Sequence, residues 1–334
     1  MSVTRDGMEA ARPGRDARSW SGAESAYRKS RPRTHARASY YDEPIINPPV
    51  WEEREIAGYL FTGGLAGASS ILATGAELSG RPVLARRAKL CASGAITASL
   101  GALIYDLGRP ARFINMLRVF KPTSPMSVGT WILAAYSPLS FATSASAVLG
   151  RYESAGRAAG VGAGALGAAV STYTAALIAN TSVPAWREGR RELPFLFAGS
   201  AASAAGGFGL IAAPLRENAP ALRFAALGAA AELGAEELLT RRLGMISETL
   251  EQGTAKRRLK AAKLLTAAGA GVAVAVGRRN RLAAAGAGAA LVAGSALTRF
   301  GLFAAGMASA KDPKYTVVPQ RERLEAARRE SLAR

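Results

Sequence analysis

The sequence predicts an all-α, polytopic membrane protein, a bundle of about eight transmembrane helices between polar N- and C-terminal tails. Three observations lead there. The 43 Lys and Arg and 24 Asp and Glu among 334 residues avoid long stretches altogether: Ile56–Ala76, Met126–Gly150, Ala158–Trp186 and Leu193–Leu215 carry no charge. A soluble helix needs a polar face, and these segments have none to offer. Each is long enough for the task, because roughly 20 apolar residues rising about 1.5 Å apiece cross a hydrocarbon core of ~30 Å. Finally, Ala and the 36 Gly fill the apolar runs; they hold the mean hydropathy to +0.09 while letting neighbouring backbones approach closely.

Taken in order, residues 1–50 are rich in Arg, Ser and Pro and lack any apolar run. They read as a basic, disordered arm and not as a signal peptide. The transmembrane domain covers 51–310, with spans at about 56–77, 89–107, 126–149, 158–180, 193–213, 221–240, 262–277 and 282–309. The sixth carries Glu232, Glu236 and Glu237, and the seventh is short between Lys263 and Arg278. Residues 311–334 form a second basic tail, in which Arg321–Arg329 suits a surface helix. Loops on the N-terminal side of the membrane hold 14 Lys and Arg against 11 on the other, and the two tails add ten and seven to the first group. The positive-inside rule then puts both termini in the cytoplasm and the chain in the cell membrane.

Composition excludes whole classes of chemistry. One cysteine, Cys91, and one histidine, His35, cannot ligate an iron–sulfur cluster or a transmembrane haem, build a zinc site, form an intrachain disulfide or complete a Ser-His-Asp triad. No metal or haem is expected on this chain. The net charge of +19 reflects topology, not nucleic-acid binding. A redox role would need a diffusible cofactor and a metal-bearing partner.

Polarity gathers at one membrane face. Trp51, Trp131, Trp186, Tyr59 and Tyr105 all fall on the N-terminal side, as interfacial anchors or as part of a site. Between the second and third spans, Tyr105-Asp106-Leu107-Gly108-Arg109-Pro110-Ala111-Arg112 runs on through Lys121-Pro122-Thr123-Ser124-Pro125-Met126-Ser127. Pro110, Pro122 and Pro125 interrupt helix, so the loop folds back on the bundle, where Asp106 can pair with Arg109 or Arg112. Tyr173 lies seven residues before Asn180, roughly 10 Å beneath the same face, and a phenol at that depth wants a hydrogen-bond partner. A phenol donor, cations and a carboxylate beside a lipid-accessible cleft suit a quinone head group, with Asp106 as the proton acceptor. Glu77, Glu232 and Glu236 are intramembrane acids, open to a proton path or, for Glu232, to a structural pair with Arg241 or Arg299.

The run from Asp106 through Leu133, DLGRPARFINMLRVFKPTSPMSVGTWIL, resembles the signature of the NrfD/PsrC family, the membrane subunits of polysulfide-reductase-type complexes. Gly58-Tyr59-Leu60-Phe61 with Gly63-Gly64-Leu65-Ala66-Gly67 resembles it too, as do Tyr173-Thr174 and Pro184-Ala185-Trp186. The resemblance implies an eight-helix anchor that binds menaquinone or another quinone. It also implies partners: a ferredoxin-like four-cluster iron–sulfur subunit, and a molybdopterin oxidoreductase subunit that this chain serves without being catalytic alone. Carried over residue by residue, Asp106 and Tyr173 are the catalytic candidates. The binding set is Tyr59, Tyr105, Asp106, Arg109, Ser127, Trp131 and Tyr173. Trp51-Glu52-Glu53-Arg54-Glu55 departs from some relatives in offering no histidine. The competing reading is an ion- or proton-translocating transport subunit that uses the intramembrane glutamates.

Overall fold

The computed structural model describes residues 45–107 and 111–332. Residues 1–44 of the N-terminal arm, with His35, lie outside the described residues, as do Gly108, Arg109, Pro110 and the last two positions. The described residues contain helices and no strand. In chain order these are α1 (Glu53–Leu78), α2 (Pro82–Asp106), α3 (Ala111–Met116), α4 (Pro125–Leu149), α5 (Glu153–Ala179), α6 (Pro184–Glu188), α7 (Leu193–Ala212) and α8 (Ala219–Leu243). A 3-10 turn (Gly244–Leu250) follows, then α9 (Gly253–Val276), α10 (Arg281–Lys311) and α11 (Lys314–Leu332).

Local chemistry fixes several of these boundaries. The Ser124 hydroxyl accepts from the Ser127 N–H (3.4 Å), and Pro125 occupies the first turn, so α4 begins there; Gly150, at φ 63°, ends it. Asn280 caps α10 by accepting from Leu282 and Ala283 N–H at 2.9 and 3.1 Å. The carboxylate of Glu217 reaches across from the α7–α8 connection and accepts from Val83 and Leu84 N–H at 2.8 and 3.0 Å. That carboxylate both satisfies the start of α2 and joins two loops.

Seven of the long helices are apolar enough over 18 residues to cross a membrane. The eighth, α8, has 25 residues, which is ample length, but Glu232, Glu236 and Glu237 lower its hydropathy. It lies tightly along α7: a methyl group at Gly228 would come within 2.4 Å of the Ser203 nitrogen, and one at Gly206 within 2.4 Å of that of Ala225. Two helices start earlier than the sequence suggested, at Pro82 instead of 89 and at Gly253 instead of 262. Their first turns carry Arg86, Arg87 and Lys89, and Lys256 through Lys263, long cations that let a helix continue through the interface with its charges turned outward or paired.

The central helix is α1, packed against α2, α5, α7 and α10. Its approach to α5 is backbone on backbone: a Cβ at Gly67 would lie 2.4 Å from the Gly167 carbonyl oxygen. Any side chain there would push the two helices apart.

The C-terminal tail begins a helix at Lys314, seven residues ahead of the expected surface segment. Tyr315 is buried and Lys314 Nζ meets Glu248 Oε2 at 2.6 Å, while Arg323 meets Glu188 at 3.2 Å. Hydrogen bonding to Lys314 holds the Glu248 carboxyl below its ordinary value of 4.5, and the same bond holds the ammonium above 10.5. The contact therefore contributes fully between those ordinary values. It is lost as pH falls through the depressed carboxyl value or rises through the elevated ammonium value. The protection factors of backbone amides 314–318, exchange rates corrected for their intrinsic pH dependence, are expected to fall once the pH drops below that of the free carboxylate, and Lys314→Met is expected to lower them at neutral pH and flatten the acid dependence. Identical exchange in the two proteins at pH 7 would show that the pair does not hold the tail.

Candidate functional site

Where α1, α2, α4 and α5 reach the N-terminal-side face, they enclose a cavity of about 60 Å³. Its walls are largely apolar, with Trp51, Met116, Met126 and Leu133 among them, and its polar members are Tyr59, Asp106, Thr130 and Tyr173. Three residues singled out from sequence thus meet at one place although 114 positions separate Tyr59 from Tyr173.

Each polar group is positioned by its helix. Tyr59 is buried in α1, and its carbonyl oxygen accepts from the Ser99 hydroxyl of α2 at 3.3 Å. Thr130 spends its hydroxyl on the Met126 carbonyl of its own helix (2.8 Å). Tyr173 approaches from α5 over the one residue of α4 that admits it: a Cβ on Gly129 would fall 2.4 Å from the ring. The Tyr173 hydroxyl is buried and has no hydrogen-bond partner among the described residues. A buried phenol without a partner forfeits about 1–3 kcal/mol, so its retention points to a group it serves.

Asp106 is the last residue of α2. A carboxylate at a helix C-terminus meets the negative end of the macrodipole, so local stability does not explain it. Glu52 and Glu55, at the start of α1, stand within electrostatic reach of it. One carboxylate oxygen of Glu55 is buried without a partner among the described residues. Arg112 donates to the Leu107 carbonyl at 2.9 Å and so does not pair with Asp106 as one of the two expectations had it; Arg109, the other, lies outside the described residues.

The remaining candidates sit elsewhere. Tyr105 is 75% exposed on the outer surface. Ser127 accepts from the Lys121 N–H and donates to the Val119 carbonyl, both at 3.0 Å. Trp131 reaches the same carbonyl at 3.4 Å and packs edge-on against Phe120. Ser127 and Trp131 therefore pin the α3–α4 loop and do not line the cavity. Trp186 is no interfacial anchor: it is buried, donates to the Leu302 carbonyl at 3.0 Å and stacks on Trp51 with centroids 6.0 Å apart. It thereby backs the cavity wall from behind. Sequence reasoning missed Gly129, Thr130 and the two methionines, whose only signal was their place in the loop motif, and Glu55, which stands just ahead of the first-span motif.

The intramembrane acids form a separate centre. Thr298 donates to Glu232 at 2.7 Å, Arg299 donates to the Phe197 carbonyl at 2.8 Å with its guanidinium 3.7 Å over the Phe197 ring, and Ser200 bonds Ser295 at 2.8 Å. Arg241 is taken by Glu237 at 3.0 Å, and among the described residues Arg299 stands outside ion-pair distance of Glu232 and acts on it only through space. Glu77 pairs with Lys89 at 2.8 Å at the opposite face. Among the described residues no group of three or more His, Cys, Asp or Glu could hold a metal.

No curated protein matches the chain. A family model described as polysulphide reductase, NrfD, matches residues 46–219, from just ahead of α1 to the first residue of α8. That is over half the chain and contains all four helices that build the cavity. This polytopic membrane protein belongs to the NrfD family.

Proposed function

We propose that the chain is the quinone-binding membrane anchor of a respiratory oxidoreductase, lying in the cell membrane with both tails in the cytoplasm. It exchanges electrons with a ferredoxin-like four-cluster iron–sulfur subunit, which in turn serves a molybdopterin catalytic subunit. The observation that carries this reading is the buried Tyr173 hydroxyl, without a partner among the described residues, lining the same apolar cavity as Asp106. A flat ring with two carbonyl oxygens would give that hydroxyl its acceptor, and the apolar walls would take the ring's faces. The cavity is smaller than the ~300 Å³ at which ligand pockets usually begin. Met116 and Met126, flexible thioethers in its wall, are the side chains suited to give way.

A bound menaquinone or related quinone would supply the two-electron, two-proton chemistry that no side chain here provides. The protein's own part is orientation and proton handling. Tyr173 donates a hydrogen bond at its hydroxyl, Asp106 exchanges a proton at its carboxylate, and Trp51, held by Trp186, closes the cavity to water.

The test is quinone retention by the purified complex. Tyr173→Phe keeps the ring over Gly129 and removes only the hydroxyl, so the complex should assemble while quinone occupancy falls about tenfold, as expected for one lost hydrogen bond in a dry site. Unchanged occupancy in that variant would remove Tyr173 from the site. The transport reading is less well supported, because Glu77 and Glu232 already have protein partners; ion uptake by vesicles holding this chain alone would revive it.

A further inference from the structure

At the membrane face opposite the candidate site, a cavity of about 390 Å³ opens where α1 ends, α2 begins, α4 ends and α5 begins. Its charged lining comprises Glu77, Arg81, Arg86, Lys89, Glu153 and Arg157. Lys89 and Glu77 neutralise each other at 2.8 Å. Among the described residues no carboxylate stands within ion-pair distance of Arg81, Arg86 or Arg157. Arg81 uses one nitrogen on the Arg216 carbonyl (2.7 Å), and its Nε is buried with no partner among the described residues. Three guanidinium groups against the single carboxylate of Glu153 leave the cavity electropositive. The N-terminal amides of α2 do not account for it, since Glu217 already occupies them.

We infer that this cavity is a binding site for the phosphate headgroup of an anionic phospholipid. Guanidinium forks match phosphate oxygens in pairs, and a basic cavity between helix ends lies where a lipid headgroup can reach it. The rim decides between a lipid and a free anion. Leu78, Val148 and Leu149, chain neighbours of the lining residues Glu77, Ala147 and Gly150, are exposed and offer acyl chains an apolar surface that inorganic phosphate would not use. Gly156 keeps the mouth compact: a Cβ there would fall 2.2 Å from the Ser146 hydroxyl, which is itself engaged with the Arg151 carbonyl at 2.9 Å. Ordinary topogenic arginines would snorkel separately; these line one half-open cavity.

The site is tested by native mass spectrometry of the full chain, offered phosphatidylglycerol or phosphatidylcholine of identical acyl chains. Preferential retention of phosphatidylglycerol is expected, weakened about 30-fold in Arg86→Gln/Arg157→Gln, from about 1 kcal/mol per surface cation. Glu153→Gln, which removes the opposing charge, is expected to tighten it, and this opposite sign separates recognition from misfolding. Equal retention of the two lipids, or unchanged phosphatidylglycerol in the double variant, overturns the inference. So does displacement of phosphatidylglycerol by millimolar inorganic phosphate, which would make the arginines a free-anion site.

Discussion

Asp106→Asn is expected to slow quinone turnover by about 10²–10⁴-fold, the range supplied by one positioned acid–base group, while the complex still assembles. The amide keeps the volume and a hydrogen-bonding oxygen but cannot take up or return a proton. Stability should move the other way. Asp106 closes α2, and removing a negative charge from a helix C-terminus is worth about 0.3–1 kcal/mol in the native state's favour. A variant that is slower yet melts no lower is hard to explain by misfolding and is the signature of a catalytic group held against the local electrostatics. The measurement pairs steady-state oxidation of a short-chain quinol with a melting curve on the same preparation. A wild-type rate in Asp106→Asn together with a loss in Glu55→Gln would transfer the proton role to that half-buried carboxylate, one oxygen of which is buried.

Depth along the membrane was legible from sequence, and direction around each helix was not. Gaps in the charge distribution mark the spans, and a rise of about 1.5 Å per residue places Tyr59, Asp106 and Tyr173 near one face. Rotation needs a periodic contrast between apolar and polar faces, and helices made of Ala, Gly, Leu and Ser against lipid supply almost none. Tyr105 and Asp106 illustrate the consequence. Successive residues point about 100° apart on a helix, so the phenol stands exposed at the surface while its neighbour lines the cavity. The same blindness hid the fate of Trp186. Its burial depends on Gly306, where a Cβ would sit 2.0 Å from the indole, and the two positions are 120 residues apart. Ser127 and Trp131 share the segment that carries the motif, and both hydrogen-bond to the Val119 carbonyl. A motif specifies a loop's whole construction, including the residues that only hold it in place.

Arg299→Met is expected to cost about 1–3 kcal/mol of stability, because it strands the Phe197 carbonyl and removes the cation that acts through space on buried Glu232. The substitution keeps much of the apolar volume against Phe197 and removes the cation. Glu232 would then be left in the bundle with Thr298 as its hydrogen-bond donor and no positive charge from α10. Three further atoms in this centre, Glu232 Oε2 and Arg299 Nε and Nη1, already lack partners among the described residues, so little slack exists to absorb another loss. If the centre is a structural charge pair, Glu232→Gln introduced beside Arg299→Met recovers most of the deficit, because the amide still accepts from Thr298 and carries no charge. Thermal melting of the detergent-solubilised chain, read as a double-mutant cycle, distinguishes the cases. Additive losses would mean that the two residues act independently. A double variant restored in stability but impaired in quinone turnover would instead tie this centre to proton movement, through a helix pair that packs directly on α1 and hence on the element that carries Tyr59.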